Sequence, residues 1–292
     1  MKQEKINSEN NKESSRIYTL YYSFFLIPFM IAIFGAVFFL LFRFITFETN
    51  DASELLNQVK IGSASKRWQS AYELSKVFNN PDHIPKDIAF KNQMISAYNH
   101  SLHDDPLVRS YLAIAMGVTR DSFYGKILTE GLSDKNRESR LAAIQAVGMV
   151  GSSLALPKLK SLLKNSEFED ERLAITIATG LIGDSSSIPI LKELLSDNEP
   201  NIRWDAAVAL AKMKDTSSVK IINNLLDRKY LSSFPQLDGS EINQAIMVAI
   251  HVTSILKDDR FYPKLKTLAL DENLKIRNAA IKTLEKSYKT NE

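Results

Sequence analysis

Residues 100–105, HSLHDD, place His100, His103, Asp104 and Asp105 together, the one grouping in the chain with the makeup of a metal site. Two histidines three apart share a helix face, and neighbouring carboxylates supply the oxygen ligands that a divalent ion such as zinc accepts. No Glu-x-x-His elsewhere completes such a set. The same run also reads as a helix end, with an aspartate capping a new helix that opens at Pro106. There is no cysteine, which removes disulfides, thiolate metal sites and cysteine nucleophiles. No Ser-His-Asp constellation stands out, and Gly148 and Gly151, in GMVG, mark a short turn between helices rather than a phosphate loop. The sequence therefore leads us to expect no catalytic residue, no metal, no cofactor and no small-molecule substrate.

Charge narrows the partners further. The 292 residues carry 37 Lys/Arg and 34 Asp/Glu, and outside residues 1–43 the balance is 32 against 31. A surface so close to neutral lacks the basic excess that neutralising phosphates demands, so nucleic acid is not expected.

One segment stands apart in composition. From Ile17 to Phe42 the chain runs 26 residues without a charge, a length of about 39 Å as a helix, enough to cross a hydrocarbon core of roughly 30 Å with tilt. Tyr18, Tyr21 and Tyr22 stand at one end, where aromatic belts occur, and Arg16 and Arg43 bracket the run. Its apolar stretch is far longer than the roughly 7–15 residues of a signal peptide. The expected organisation is a tail at 1–16, a transmembrane helix at 17–43, a linker or entry helix at 44–60 and a main domain at 61–289. Lys2, Lys5, Lys12 and Arg16 precede the span, while Arg43 alone follows closely. The excess of basic residues on the first side predicts a cytoplasmic N-terminus and an extracytoplasmic main domain.

Within the main domain a pattern recurs. Arg109 (RSYLAIAMG), Arg140 (RLAAIQAVG), Arg172 (RLAITIATG) and Arg203 (RWDAAVALA) follow one another at spacings of 31, 32 and 31. Arg277 (RNAAIKTLE) repeats the motif, Arg67 (RWQSAYELS) is a looser copy, and Asn243 takes the arginine position in NQAIMVAIHV. Small and apolar residues three and four apart make a helical stripe, and alanine lets helices approach closely. A second apolar segment follows in LPKLKSLL, IPILKELL, VKIINNLL and YPKLKTLA; Pro157, Pro189 and Pro263 fit a first helical turn. Asp134, Asp197 and Asp271 each stand six residues before an arginine, where an N-cap is expected. Helix pairs at a fixed period cannot bury their apolar faces alone and must stack. The fold class expected is all-α, an α-solenoid preceded by one transmembrane helix.

These residues resemble HEAT repeats, in the form described as phycobilisome-lyase-type HEAT-like repeats, over roughly residues 61–289. The resemblance implies an armadillo-like superhelix in which Asp134, Asp197 and Asp271 form a hydrogen-bonded ladder with Arg140, Arg203 and Arg277. It also implies that the second helices line the concave face, presenting Lys158, Lys160, Lys192, Lys220, Lys264 and Lys266 to a protein partner. Relatives that hydroxylate deoxyhypusine hold iron through His-Glu pairs, whereas His83, His100, His103 and His251 are followed by Ile, Ser, Asp and Val. The spacing from Arg203 to Asn243 exceeds the period, and the excess falls in DRKYLSSFPQLDGSE, which makes Tyr230, Phe234 and Leu237 candidates either for partner contact or for packing on their own repeat. Two functions fit: a noncatalytic membrane-anchored scaffold that docks a membrane-associated protein, for example in a transporter complex, or a lyase or chaperone-like factor that handles a chromophore or prosthetic group.

Overall fold

A computed structural model describes residues 22–45 and 51–288; the tail at 1–16, the first residues of the expected span, residues 46–50 of the expected linker and residues 289–292 lie outside the described residues. The chain divides into two compact units, residues 1–49 and 50–292. In the first, a π-helical turn at Tyr22–Leu26 leads into α1, Ile27–Ile45. Its stretch Phe24–Phe42 is long and apolar enough to cross a membrane, and none of it is buried.

The second unit is a stack of helices, with no strand among the described residues. Helices α2 (Ala52–Ile61) and α3 (Ala64–Val77) open it as a hairpin closed by Gly62 and Ser63. The first helices, which all bear the arginine except α14, are α3, α5 (Pro106–Val118), α7 (Arg137–Met149), α9 (Glu169–Ile182), α11 (Pro200–Lys212), α14 (Gly239–Leu256) and α16 (Leu274–Ser287). Between them run the second helices α4 (Ile88–His100), α6 (Gly125–Gly131), α8 (Leu156–Asn165), α10 (Ile188–Leu194), α12 (Val219–Leu225) and α15 (Tyr262–Leu268). A short extra helix, α13 (Arg228–Leu231), follows α12. Pro157, Pro189 and Pro263 sit in the first turns of α8, α10 and α15, where the missing N–H costs no hydrogen bond.

The two layers differ in how tightly they pack. Gly117 of α5 lies so near α7 that an added Cβ would stand 2.9 Å from the Ala146 Cα. At Gly148 the corresponding distance to the Ala178 Cα of α9 is 2.7 Å, and at Gly180 the Ala209 Cβ of α11 is 2.8 Å away. Glycine against alanine thus brings successive first helices almost backbone to backbone, while successive second helices touch one another far less. We term the close-packed layer of first helices the inner layer and the layer of second helices the outer one; the small residues read as a core stripe are what draw the inner layer together.

Candidate docking face

Each first helix begins beside a row of ion pairs that joins one unit to the next. Arg67 donates to Asp104 at 2.8 Å, Arg109 to Asp134 at 2.5 Å, Arg140 to Glu171 at 2.5 Å and Arg172 to Asp197 at 3.2 Å. Asp104, Asp134 and Asp197 belong to the loop before the following first helix, and Glu171 to the first turn of α9. The same arginines hold their own loops through backbone carbonyls, Arg140 Nη1 on Asp134 O at 2.8 Å and Arg203 Nη1 on Asp197 O at 2.7 Å. Asp134 and Asp197 are therefore shared between two arginines, by carboxylate with the unit before and by carbonyl with their own. Arg277 makes no side-chain hydrogen bond among the described residues.

The aspartates do not cap the helices directly, as the spacing suggested. Asp134, Asp197 and Asp271 accept from the backbone N–H two residues on, at 2.8–2.9 Å, and the capping positions are Asn136, Glu199 and Asn273. A turn that positions the N-cap and a cap itself share the same residue types, and the six-residue spacing does not separate them. In HSLHDD, Asp105 caps α5 through Leu107 N at 2.9 Å and Asp104 takes Arg67, so two of the four prospective metal ligands hold structural bonds. Among the described residues no three His, Asp or Glu side chains converge as a metal site.

Sandwiched between neighbours, each inner helix keeps one strip of surface. Relative to the arginine, this strip holds the positions two before and two, five and nine after, one helical face by the three-four rule. Five after come Tyr72, Ile114, Gln145, Ile177, Val208, Val248 and Lys282; nine after come Lys76, Val118, Met149, Leu181, Lys212, Val252 and Lys286, so the strip is apolar in its middle units and basic toward both ends. From Ser110 to Thr119, Leu141 to Val150 and Leu173 to Ile182 there is no charged residue at all. Ile177 and Leu181 are 44% and 56% exposed, which is unusual for aliphatic side chains in the middle of a helix layer. The rim two before the arginine is acidic in three units, at Glu138, Asp170 and Glu241. Side-chain chemistry here suits contact with a protein: apolar, shallow and rimmed by charge.

Residues 95–178 and 156–231 match the family model for HEAT repeats. Residues 95–231 carry HEAT repeats. Among solved structures it resembles the complex of CpcE and CpcF of phycocyanin lyase from Nostoc sp. PCC7120, at 17% identity and a TM-score of 0.54, over 82% of this chain and 90% of that one. YibA of Escherichia coli is similar at 19% identity and a TM-score of 0.49, over 80% and 92% of the two chains. A designed armadillo repeat protein in complex with the peptide (KR)4 follows at 16% identity and a TM-score of 0.43, over 80% and 97%. At these identities the likeness shows the fold alone, an α-solenoid. No curated protein matches the sequence.

On the HEAT stack the six lysines belong to the outer layer. Lys192 pairs with Asp215 at 2.9 Å, Lys264 with Asp227, and Lys266 lies over the Tyr262 ring at 4.9 Å. Lys160 and Lys220 are exposed, and Lys158 lines a cleft of about 530 Å³ with Arg140 and Glu171. Tyr230, Phe234 and Leu237 fold back onto their own repeat: Phe234 meets the Trp204 ring at 5.0 Å and the Tyr230 ring at 5.2 Å, and Trp204 is only 8% exposed. Aromatic residues in a long loop signalled a purpose; that purpose is to cover Trp204. The acid held at the inner face, Asp205, was not singled out by sequence, although its place in an otherwise uncharged column is visible once the repeats are aligned.

Proposed function

We propose that this chain is a noncatalytic scaffold, anchored in a membrane by the apolar segment at 17–43, that docks a protein partner on the inner face of its HEAT solenoid. The observation that carries the reading is the uncharged strip across α5, α7 and α9, with Ile177 and Leu181 open at its centre. Repeat stacks offer such extended surfaces to other chains, and an apolar patch with a charged rim is the usual form of a docking site. The partner is then a membrane-associated protein, for instance within a transporter complex, and the exposed lysines of the outer layer, Lys160 and Lys220, assist encounter rather than docking. A chromophore-handling role, the other function open to the sequence, has its support in a 17%-identical lyase structure, which speaks for the fold.

The test is co-purification from detergent-solubilised membranes. A stoichiometric partner retained by the full chain and lost from an Ile177→Glu, Leu181→Glu variant that melts like the parent supports the reading. A partner retained equally by both, or a chain lacking residues 17–43 that still sediments with membranes, goes against it.

A further inference from the structure

Two residues after the arginine position, the inner strip holds Gln69, Tyr111, Ala142, Ala174, Ala245 and Ala279, none of them charged, but in α11 it holds Asp205. The position is a narrow one, since α11, packed against α9 and α14, buries all of its residues but Pro200, Asn201, Arg203, Asp205, Val208 and Lys212. Asp205 is half-buried there and accepts no hydrogen bond; Lys212, farther along the same strip, is the charged group that acts on it, without forming an ion pair. Burial holds its carboxyl above the usual carboxylate range, with Lys212 opposing the shift. A half-buried carboxylate at a position that is uncharged in every other repeat, given no donor among the described residues, costs stability and returns none within this chain. Yet its oxygens are not sealed from solvent, as the orphaned polar atoms of the core are. An incoming cation would find an acceptor already partly stripped of water, where a charge-assisted hydrogen bond is strongest.

We propose that Asp205 is the specificity-determining residue of the inner face, accepting a lysine or arginine of a partner protein segment whose flanking apolar side chains lie on Ile177, Leu181 and Val208. This rests on the docking reading above and adds to it the chemistry of the occupant: an apolar segment with a central basic residue. Glu138 favours a further basic residue on the side of the helix N-termini, where Asp170 is already paired with Arg137, and Lys212 disfavours one on the other.

The full chain in lipid nanodiscs is used to select from random peptides displayed on phage, with binders counted only if lost on Ile177→Glu. The result expected is a consensus of one Lys or Arg between apolar residues, bound about tenfold more weakly by Asp205→Ala. Because alanine is what four of the other six repeats use, Asp205→Ala keeps or raises the melting temperature, so lost binding is not lost folding. Inner-face peptides without a basic residue, or with affinity unchanged in Asp205→Ala, overturn the assignment to Asp205 and leave the docking face standing. If no selected peptide depends on Ile177, or if Ile177→Glu instead abolishes self-association of the chain or binding to empty anionic nanodiscs, both readings fall.

Discussion

Arg228 supplies the guanidinium that Asn243 lacks. Asn243 occupies the arginine position of its repeat, and its Oδ1 accepts from Arg228 Nη1 at 2.9 Å, while Arg228 Nη2 reaches the Asp271 carboxylate at 2.9 Å. That is the bond which Arg109 makes to Asp134 one loop ahead. The inserted helix α13 thus restores the ladder at the one internal rung whose arginine is missing. Asp271 is 8% exposed and would be left without its cation in Arg228→Ala, at a cost of about 1–3 kcal/mol. Because repeat stacks unfold in parts, the loss should appear as faster amide exchange from residue 239 onward, with Lys229→Ala unchanged within about 0.5 kcal/mol. Uniform exchange along the chain in Arg228→Ala would remove the rung from the account.

Gly148→Ala should destabilise the stack although alanine is the better helix former by about 1 kcal/mol. The added Cβ meets the Ala178 backbone at 2.7 Å, and separating two inner helices costs about 1–3 kcal/mol. Gln145→Ala, on the open strip of the same helix, has no such neighbour and gains from propensity alone. Thermal melts that rank the two variants the other way would show that the inner layer is not close-packed at this point.

How much of this was legible beforehand follows from which interactions are periodic. The helix pairs, the prolines and the Ala-rich stripe repeat every unit, so they are written in the sequence at 31-residue spacing. Which layer packs closely is not written there: it depends on Gly148 meeting Ala178 in the next unit, a contact that alignment of repeats does not reveal. The staggering of Arg109 onto Asp134 is hidden for the same reason, since the acid also stands at a fixed distance from Arg140. Asp205 needed the opposite operation, a search for the charged residue in a column that is otherwise uncharged.

Tyr98→Phe tests a buried group with no partner. The Tyr98 hydroxyl makes no hydrogen bond, its ring lies 3.9 Å from the Arg109 guanidinium, and burial pushes its pKa up to about 12, with Arg109 opposing and Asp134 adding. The unfolded chain ionises this phenol near pH 10, while the folded chain keeps it neutral to about 12. Between these limits the unfolded state holds fewer protons, so stability falls with rising pH, by about 2–3 kcal/mol for this group alone. The variant should match the parent in stability at neutral pH and lose less of it across that alkaline window; an unchanged alkaline profile would contradict the buried neutral phenol.

A cysteine at Ser217, exposed in the turn before α12, reads the side of the membrane against a background free of native thiols. The basic residues before the span predict labelling by an impermeant reagent in intact cells or spheroplasts. Labelling only after lysis would put the solenoid in the cytoplasm and direct the partner search there.

Site-specific photo-crosslinking in native membranes tests the docking face most directly. A photoreactive residue is placed in the full chain at Ile177 or Leu181 on the inner strip, or at Lys160 or Lys220 on the outer layer. The account predicts one discrete crosslinked protein from the two inner positions and none from the outer pair. Crosslinks from the lysines, with the inner positions silent, would contradict it.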